Sequence, residues 1–179
     1  GSGYFIWHGD GSISKTDPLV PRFINDNGVW AGVRYGETNE YYYMPHAAIS
    51  LAGEVIDLHM LLGFPVQSGS GSQVVGLNSS GTVAISAYGY WGRRSLLWSE
   101  GSGSTEIELP GNAFGPEAMN DLGDVIGQCS YPDPDTWCAY YWSPTTGYQE
   151  IFSSNYYVYP VAINDRREAV GYAFEIDPA

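Results

Sequence analysis

Ala162-Ile163-Asn164-Asp165-Arg166-Arg167-Glu168-Ala169-Val170-Gly171 is the clearest copy of a stretch that recurs four times along the chain. The other copies are Phe23-Ile24-Asn25-Asp26-Asn27-Gly28-Val29-Trp30-Ala31-Gly32, Ala118-Met119-Asn120-Asp121-Leu122-Gly123-Asp124-Val125-Ile126-Gly127 and a looser Val75-Gly76-Leu77-Asn78-Ser79-Ser80-Gly81-Thr82-Val83-Ala84. In each, an apolar run ends at Asn, two or three turn residues follow, and a second apolar run begins. That is the pattern of a β-hairpin. Asn suits the first position of a type I turn, because its side chain can accept a backbone N–H two residues on. Gly28, Gly81 and Gly123 suit the left-handed position that closes such a turn. Arg167 stands where that glycine belongs, so the fourth hairpin is expected to be strained or of another turn type. Calcium ligation by Asp26, Asp121 and Asp165 is the sharper alternative, but one carboxylate per separate turn does not converge several oxygens on one ion.

The marker asparagines 25, 78, 120 and 164 are spaced 53, 42 and 44 residues apart. From the marker to the end of an aromatic strand the distances are 19 (Met44), 20 (Trp98) and 22 (Trp142) residues. The fourth unit lacks its third and fourth strands, while the chain opens with an aromatic strand ending at Trp7. Counted around the ends, the distance from Asn164 to Trp7 is again 22 residues. Four-stranded units of about 40–45 residues are the blade signature of a β-propeller. The expected fold is therefore all-β: one four-bladed propeller domain over residues 1–179, with blades at 21–68, 69–115, 116–159 and 160–179 plus 4–20. The last blade is completed by the N-terminal strands, which leaves no free sheet edge. A slice of a longer repeat array is the alternative. Trp7, Trp98 and Trp142 share one register and are expected to be core wedges.

Composition narrows the partners. The chain has 179 residues, 7 Lys+Arg against 20 Asp+Glu, and a net charge of −13. That balance argues against nucleic acid and against anionic membrane surfaces. No apolar run reaches membrane-spanning length, so no membrane insertion is expected. Fifteen Tyr, six Trp and 23 Gly favour strands and turns over helices. Gly1-Ser2-Gly3 reads as a cloning scar. Cys129 and Cys138 bracket a stretch with two Pro and two Asp, which reads as a loop between strands. A cross-strand disulfide is the favoured reading, and two free thiols the alternative. A bridge implies an oxidising compartment. Two Cys without nearby His make no zinc site.

These units resemble the HAF-type extracellular repeat of bacterial proteins. The resemblance is carried by Ala162-Ile163-Asn164 with Ala169-Val170-Gly171, by Ala118-Met119-Asn120 with Val125-Ile126-Gly127, by Trp98 and Trp142, and by Ile56-Asp57-Leu58. Unit two lacks the second Gly, and unit one has Met44 where Trp is expected. The resemblance implies a secreted or cell-surface protein and brings no catalytic residues with it.

In a propeller blade, the Asn–Asp turns lie on one face and the longer connections on the other. The units differ most on the second face, which is where a ligand site is expected. The candidates are Tyr88, Tyr90, Trp91, Arg93 and Arg94, read as a loop of unit two. Unit three offers Tyr131, Asp133, Asp135 and Trp137, and the last inter-blade link offers Asn155, Tyr156 and Tyr157. Tyr and Trp rings beside Arg and Asp suit sugars or a protein partner. Tyr41-Tyr42-Tyr43 and Tyr140-Tyr141 are expected to be structural. His8, His46 and His59 are scattered and are read as structural or solvated. No nucleophile elbow is present, and no catalytic, metal or cofactor residue is assigned. Asp133, Asp135, Glu37, Glu40 and Glu117 are the carboxylates a glycan-cleaving enzyme could use, and Asp133 with Asp135 could hold calcium. The expected function is a non-catalytic extracellular module that binds carbohydrate or protein. A polysaccharide-active enzyme and a structural or oligomerising domain are the alternatives.

Overall fold

A computed structural model describes residues 4–16, 18–37, 43–67, 69–131 and 136–174. Within them the chain is all-β apart from one short helix. In chain order the elements are β1 (Phe5–Trp7), β2 (Ile13–Lys15), β3 (Leu19–Ile24), β4 (Trp30–Glu37), β5 (Tyr43–Leu51), β6 (Glu54–Asp57), α1 (Leu58–Leu61) and β7 (Gly71–Leu77). There follow β8 (Val83–Gly89), β9 (Gly92–Ser99), β10 (Gly103–Glu106), β11 (Ala113–Met119), β12 (Val125–Ser130), β13 (Trp137–Ser143), β14 (Gly147–Ser154), β15 (Tyr157–Ile163) and β16 (Ala169–Phe174).

Three four-stranded sheets, β3-β4-β5-β6, β7-β8-β9-β10 and β11-β12-β13-β14, are each built from strands consecutive in sequence. Two two-stranded sheets, β1-β2 and β15-β16, come from the ends of the chain. By contacts the chain divides into two compact units, residues 1–74 with 87–92 and residues 75–86 with 93–179, and the boundary runs through β7 and β8.

The four marker turns share one local geometry. In each, the Asn Oδ1 accepts a backbone N–H four residues on: Val29 to Asn25 at 3.0 Å, Thr82 to Asn78 at 2.7 Å, Asp124 to Asn120 at 2.9 Å and Glu168 to Asn164 at 3.0 Å. It also accepts the N–H two residues on at Asn27, Leu122 and Arg166. Arg167 does not change the turn type. Its φ of +64° is close to the +79° of Gly123. The side chain offsets the steric cost, because Arg167 Nε donates to Asp124 Oδ2 at 3.0 Å, and that Asp124 side chain is only 2% exposed.

The second unit has a core of Val75, Ala84, Leu97, Ile107, Val125, Tyr140 and Trp142 around the Cys129–Cys138 disulfide. The two cysteines face each other across β12 and β13, with Cα atoms 4.8 Å apart. Tyr140 is fully buried, donates to the Phe114 carbonyl at 3.0 Å, and has its hydroxyl pushed well up by burial. Gly127 opposes Tyr140 across the strand pair, and the ring occupies the space a side chain at that position would need. Tyr141 is buried as well, so this Tyr pair is structural as expected.

Several sequence expectations are corrected. Trp98 and Trp142 are buried, but Trp7 is 62% exposed, because β1 pairs only with β2 and nothing described covers its ring. Pro45 and His46 lie inside β5. The residue opposite Trp30 is Ser50, as Trp142 is opposite Val125, so Ser50 and not Met44 is the counterpart of the later tryptophans. The first repeat has a longer second hairpin, which the aromatic run had masked. Residues 88–94 are not a loop. Tyr88 lies in β8, Arg93 and Arg94 belong to β9, and Tyr90 and Trp91 form the tight turn between them. Trp137 opens β13. His59 lies in α1, whose N-cap is Asp57.

Two outcomes test this account. With its stored backbone strain, Arg167→Ala should unfold at a lower urea midpoint than Arg167→Gly, since both lose the Asp124 pair and only the glycine relieves the left-handed backbone. Replacing both cysteines by alanine should lower stability by about 2–3 kcal/mol, the chain-entropy value for a loop this short, read from denaturant unfolding of oxidised and substituted protein.

Candidate functional site

The second unit carries a continuous row of aromatic rings at the ends of its sheets opposite the marker turns. It begins at Arg93 on β9, whose guanidinium carbon lies 4.7 Å from the centroid of Phe114 on β11. Phe114 and Trp137 follow with centroids 6.0 Å apart and planes within 16°. Trp137 meets Tyr157 at 4.2 Å, and Tyr157 meets Phe174 at 5.1 Å. Tyr172 and Tyr159 complete the row, at 6.0 Å from Phe174 and 5.4 Å from each other.

The sequence places these rings by strand register. Trp137 and Tyr157 each open a strand, and Phe174 closes the partner of Tyr157, paired with it directly. Phe114 is the second residue of β11. Its backbone carbonyl takes the Tyr140 hydroxyl bond, so the core side chain beneath the row also fixes one of its members. Tyr157 is held by Gln128, whose Oε1 accepts its hydroxyl at 3.3 Å and whose Nε2 donates to the Val158 carbonyl at 2.6 Å. At the far end, Tyr159 donates to Glu117 Oε2 at 3.3 Å. Burial pushes the Glu117 carboxyl up, and its charge raises the Tyr159 hydroxyl in turn. Half the surface of Tyr172 and Phe174 is open to solvent.

Next to Arg93 and Phe114 lies a groove of about 460 Å³, lined also by Arg94, Glu106, Glu108 and Pro110. Arg94 and Glu106 neutralise each other through two parallel bonds of 3.1 and 3.0 Å, which raises the Arg94 guanidinium and lowers the Glu106 carboxyl. The Trp137 Nε1–H is buried and has no hydrogen-bond partner among the described residues.

Of the residues expected to bind, the structure brings Arg93, Trp137 and Tyr157 into this row and places Arg94 in the groove beside it. Phe114, Tyr159, Tyr172 and Phe174 were missed: they lie within strands, and only their position at one strand end marks them. Tyr131 is exposed and donates to the Glu150 carboxylate. Asn155 and Tyr156 are exposed in the bend before β15 and make no contact with the row among the ring pairs described. Tyr88, Tyr90 and Trp91 belong to the first unit. There Tyr90 is 84% exposed, and Trp91 stacks on Phe64 at 5.5 Å. Glu40, Asp133, Asp135, Tyr41 and Tyr42 lie outside the described residues.

The first unit holds a buried polar cluster that sequence reading did not assemble. His46 Nδ1 and Asp57 Oδ2 are 2.9 Å apart, and the His46 ring stacks on His59 at 4.1 Å with planes within 8°. His59 Nδ1 meets the Ser72 hydroxyl at 2.9 Å, and that oxygen accepts the Ala47 N–H at 2.9 Å. Asp57 joins the cluster to α1 by accepting the Met60 N–H at Oδ1, and Arg34 lies 3.7 Å from the Oδ2 that faces His46. Both rings are buried, and the His46 Nε2 has no partner among the described residues. Without access to a substrate, this network holds α1 and β7 against β5.

No family model matches the chain, and neither a curated protein nor a solved structure matches it.

The histidine stack makes a pH prediction. Burial foremost, and then the neighbouring His46, hold the His59 imidazole below its ordinary value of 6.5. The unfolded chain therefore binds this proton more readily than the folded one, and stability must fall as pH drops below that ordinary value. Urea unfolding at pH 7.5 and pH 5.0 should show a lower midpoint in acid, and His59→Gln should reduce that difference.

Proposed function

We propose that this protein is a non-catalytic binding module whose ligand is carbohydrate, taken at the aromatic row and the groove beside it. The observation that carries this reading is the run Arg93–Phe114–Trp137–Tyr157. It joins large, fixed apolar rings to polar tips at a groove open to solvent. Rings supply contact area to the C–H faces of a sugar, and hydroxyl, indole and guanidinium donors set its orientation. Fixing the rings before binding lowers the entropy cost of ordering them around a ligand.

The wider reading is a secreted, HAF-type repeat protein folded as a four-bladed propeller. The disulfide supports an oxidising compartment. Three sheets of four sequential strands are the size and connectivity of propeller blades.

Screening the purified protein against a glycan array tests the binding reading. Wild type should retain a set of glycans that Trp137→Ala and Tyr157→Ala bind about tenfold more weakly or not at all, the loss expected for one stacking contact of about 1–1.5 kcal/mol. Circular dichroism and thermal unfolding would establish that the variants remain folded. An array on which wild type binds nothing sinks the carbohydrate reading.

A further inference from the structure

We propose that the groove beside the aromatic row recognises a hexuronate residue of an acidic polysaccharide, with its carboxylate held by Arg93. This rests on the carbohydrate reading above and adds the chemical class of the sugar.

Four of the chain's seven Lys and Arg side chains lie against acids. Arg94 is paired with Glu106, Arg166 with Glu168, and Arg167 with Asp124, while Arg34 lies beside Asp57. Arg93, like Lys15 and Arg22, makes no ion pair among the described residues, and of these three only Arg93 lines the groove. Shortage of acids does not explain this, because Asp and Glu outnumber Lys and Arg by 20 to 7. Arg93 instead lies over the Phe114 ring at 4.7 Å. A guanidinium held over a ring by its charge spends no N–H donor on an acid, so those donors stay available to an incoming anion. A carboxylate is the anion that matches such a fork with two parallel bonds. Arg93 lines the groove and is exposed, so an incoming anion can reach those donors.

Glu108 narrows the class further. It lines the same groove and makes no ion pair among the described residues. An ionised carboxylate only accepts hydrogen bonds, so it suits sugar hydroxyls and repels a densely sulfated chain. A uronic acid carries both required features on one ring: a single carboxylate for Arg93 and neighbouring hydroxyls for Glu108. The Phe114 side chain between Arg93 and Trp137 offers the apolar contact. The net charge of −13 opposes binding of polyanions in general. Recognition then depends on the local fork rather than on a basic surface.

The test compares polygalacturonate oligomers with the same oligomers methyl-esterified, by isothermal titration calorimetry on the whole chain. The backbone and ring hydroxyls are shared, and only the carboxylate differs. Esterification should weaken binding to wild type by about tenfold or more, the loss expected for one charge-assisted hydrogen-bonded pair. Arg93→Gln should lose the preference for the acid form, and Arg93→Lys should restore only part of it, because an ammonium lacks the planar fork. Equal affinity of wild type for acid and ester overturns the inference whether or not the variants fold. Binding of neutral glycans alone does the same and leaves the carbohydrate reading standing. If wild type binds no saccharide at all, both readings fail.

Discussion

Bonds from the marker asparagines 78 and 120 to the next repeat set the geometry on which the second unit depends. Asn78 Nδ2 donates to the Asp121 carbonyl at 3.1 Å, and Asn120 Nδ2 donates to the Asn164 carbonyl at 3.0 Å. The aspartates return the contact. Ser79 N–H donates to Asp121 Oδ1 at 2.7 Å, and Asp121 N–H to Asp165 Oδ1 at 2.9 Å. Asn therefore acts twice: its oxygen closes its own turn while its amide grips the following one. Asp, which looked like an ordinary turn residue, serves as the receiving group. Asn78 and Asn120 are buried, so these bonds are made where an unpaired amide would be costly. At Asn164, the last in the series, the amide turns to its own Glu168 instead at 2.7 Å.

Because the latches fix one end of each sheet against the next, side chains at the opposite end are brought into a common row. Phe114, Trp137, Tyr157 and Phe174 come from four different strands, yet they form one stack. The interior under the row reinforces it. The Tyr140 hydroxyl ties down the Phe114 backbone, and Gln128 ties Tyr157 to β15. A side chain at Gly127 would displace Tyr140 and so loosen the row from below. The aromatic row and the core are thus one mechanical arrangement, which is what the proposed preorganised site requires.

The two polar clusters contrast in use. In the second unit, polar groups stand at the surface, with Arg93 over an aromatic ring and Glu108 in the groove without an ion pair among the described residues. In the first, His46, His59, Asp57 and Ser72 are withdrawn from water and spend their hydrogen bonds on one another and on the backbone. The latter resembles catalytic chemistry in residue type alone. Its burial assigns it to holding α1 in place and makes it sensitive to acid.

Sequence by itself determined the local elements. The Asn turns, the left-handed position after them, the strand-rich class and the pairing of Cys129 with Cys138 all follow from short-range stereochemistry, in which a residue and its near neighbours decide the outcome. It also selected the end of the strands where variable aromatics gather, and so Arg93, Trp137 and Tyr157. Residue type alone misplaces a register: Met44 lies within a strand that runs on to Leu51, and Trp7 is exposed rather than a core residue. Aromatic runs satisfy a strand on either face and at any position along it, so they cannot fix its end. Tertiary structure alone decided that Phe114, Phe174 and Tyr172 join the row, that Arg167 is steadied by Asp124, and that two histidines 13 residues apart stack face to face. Each of these depends on contacts between distant strands, where geometry rather than residue type selects the partner.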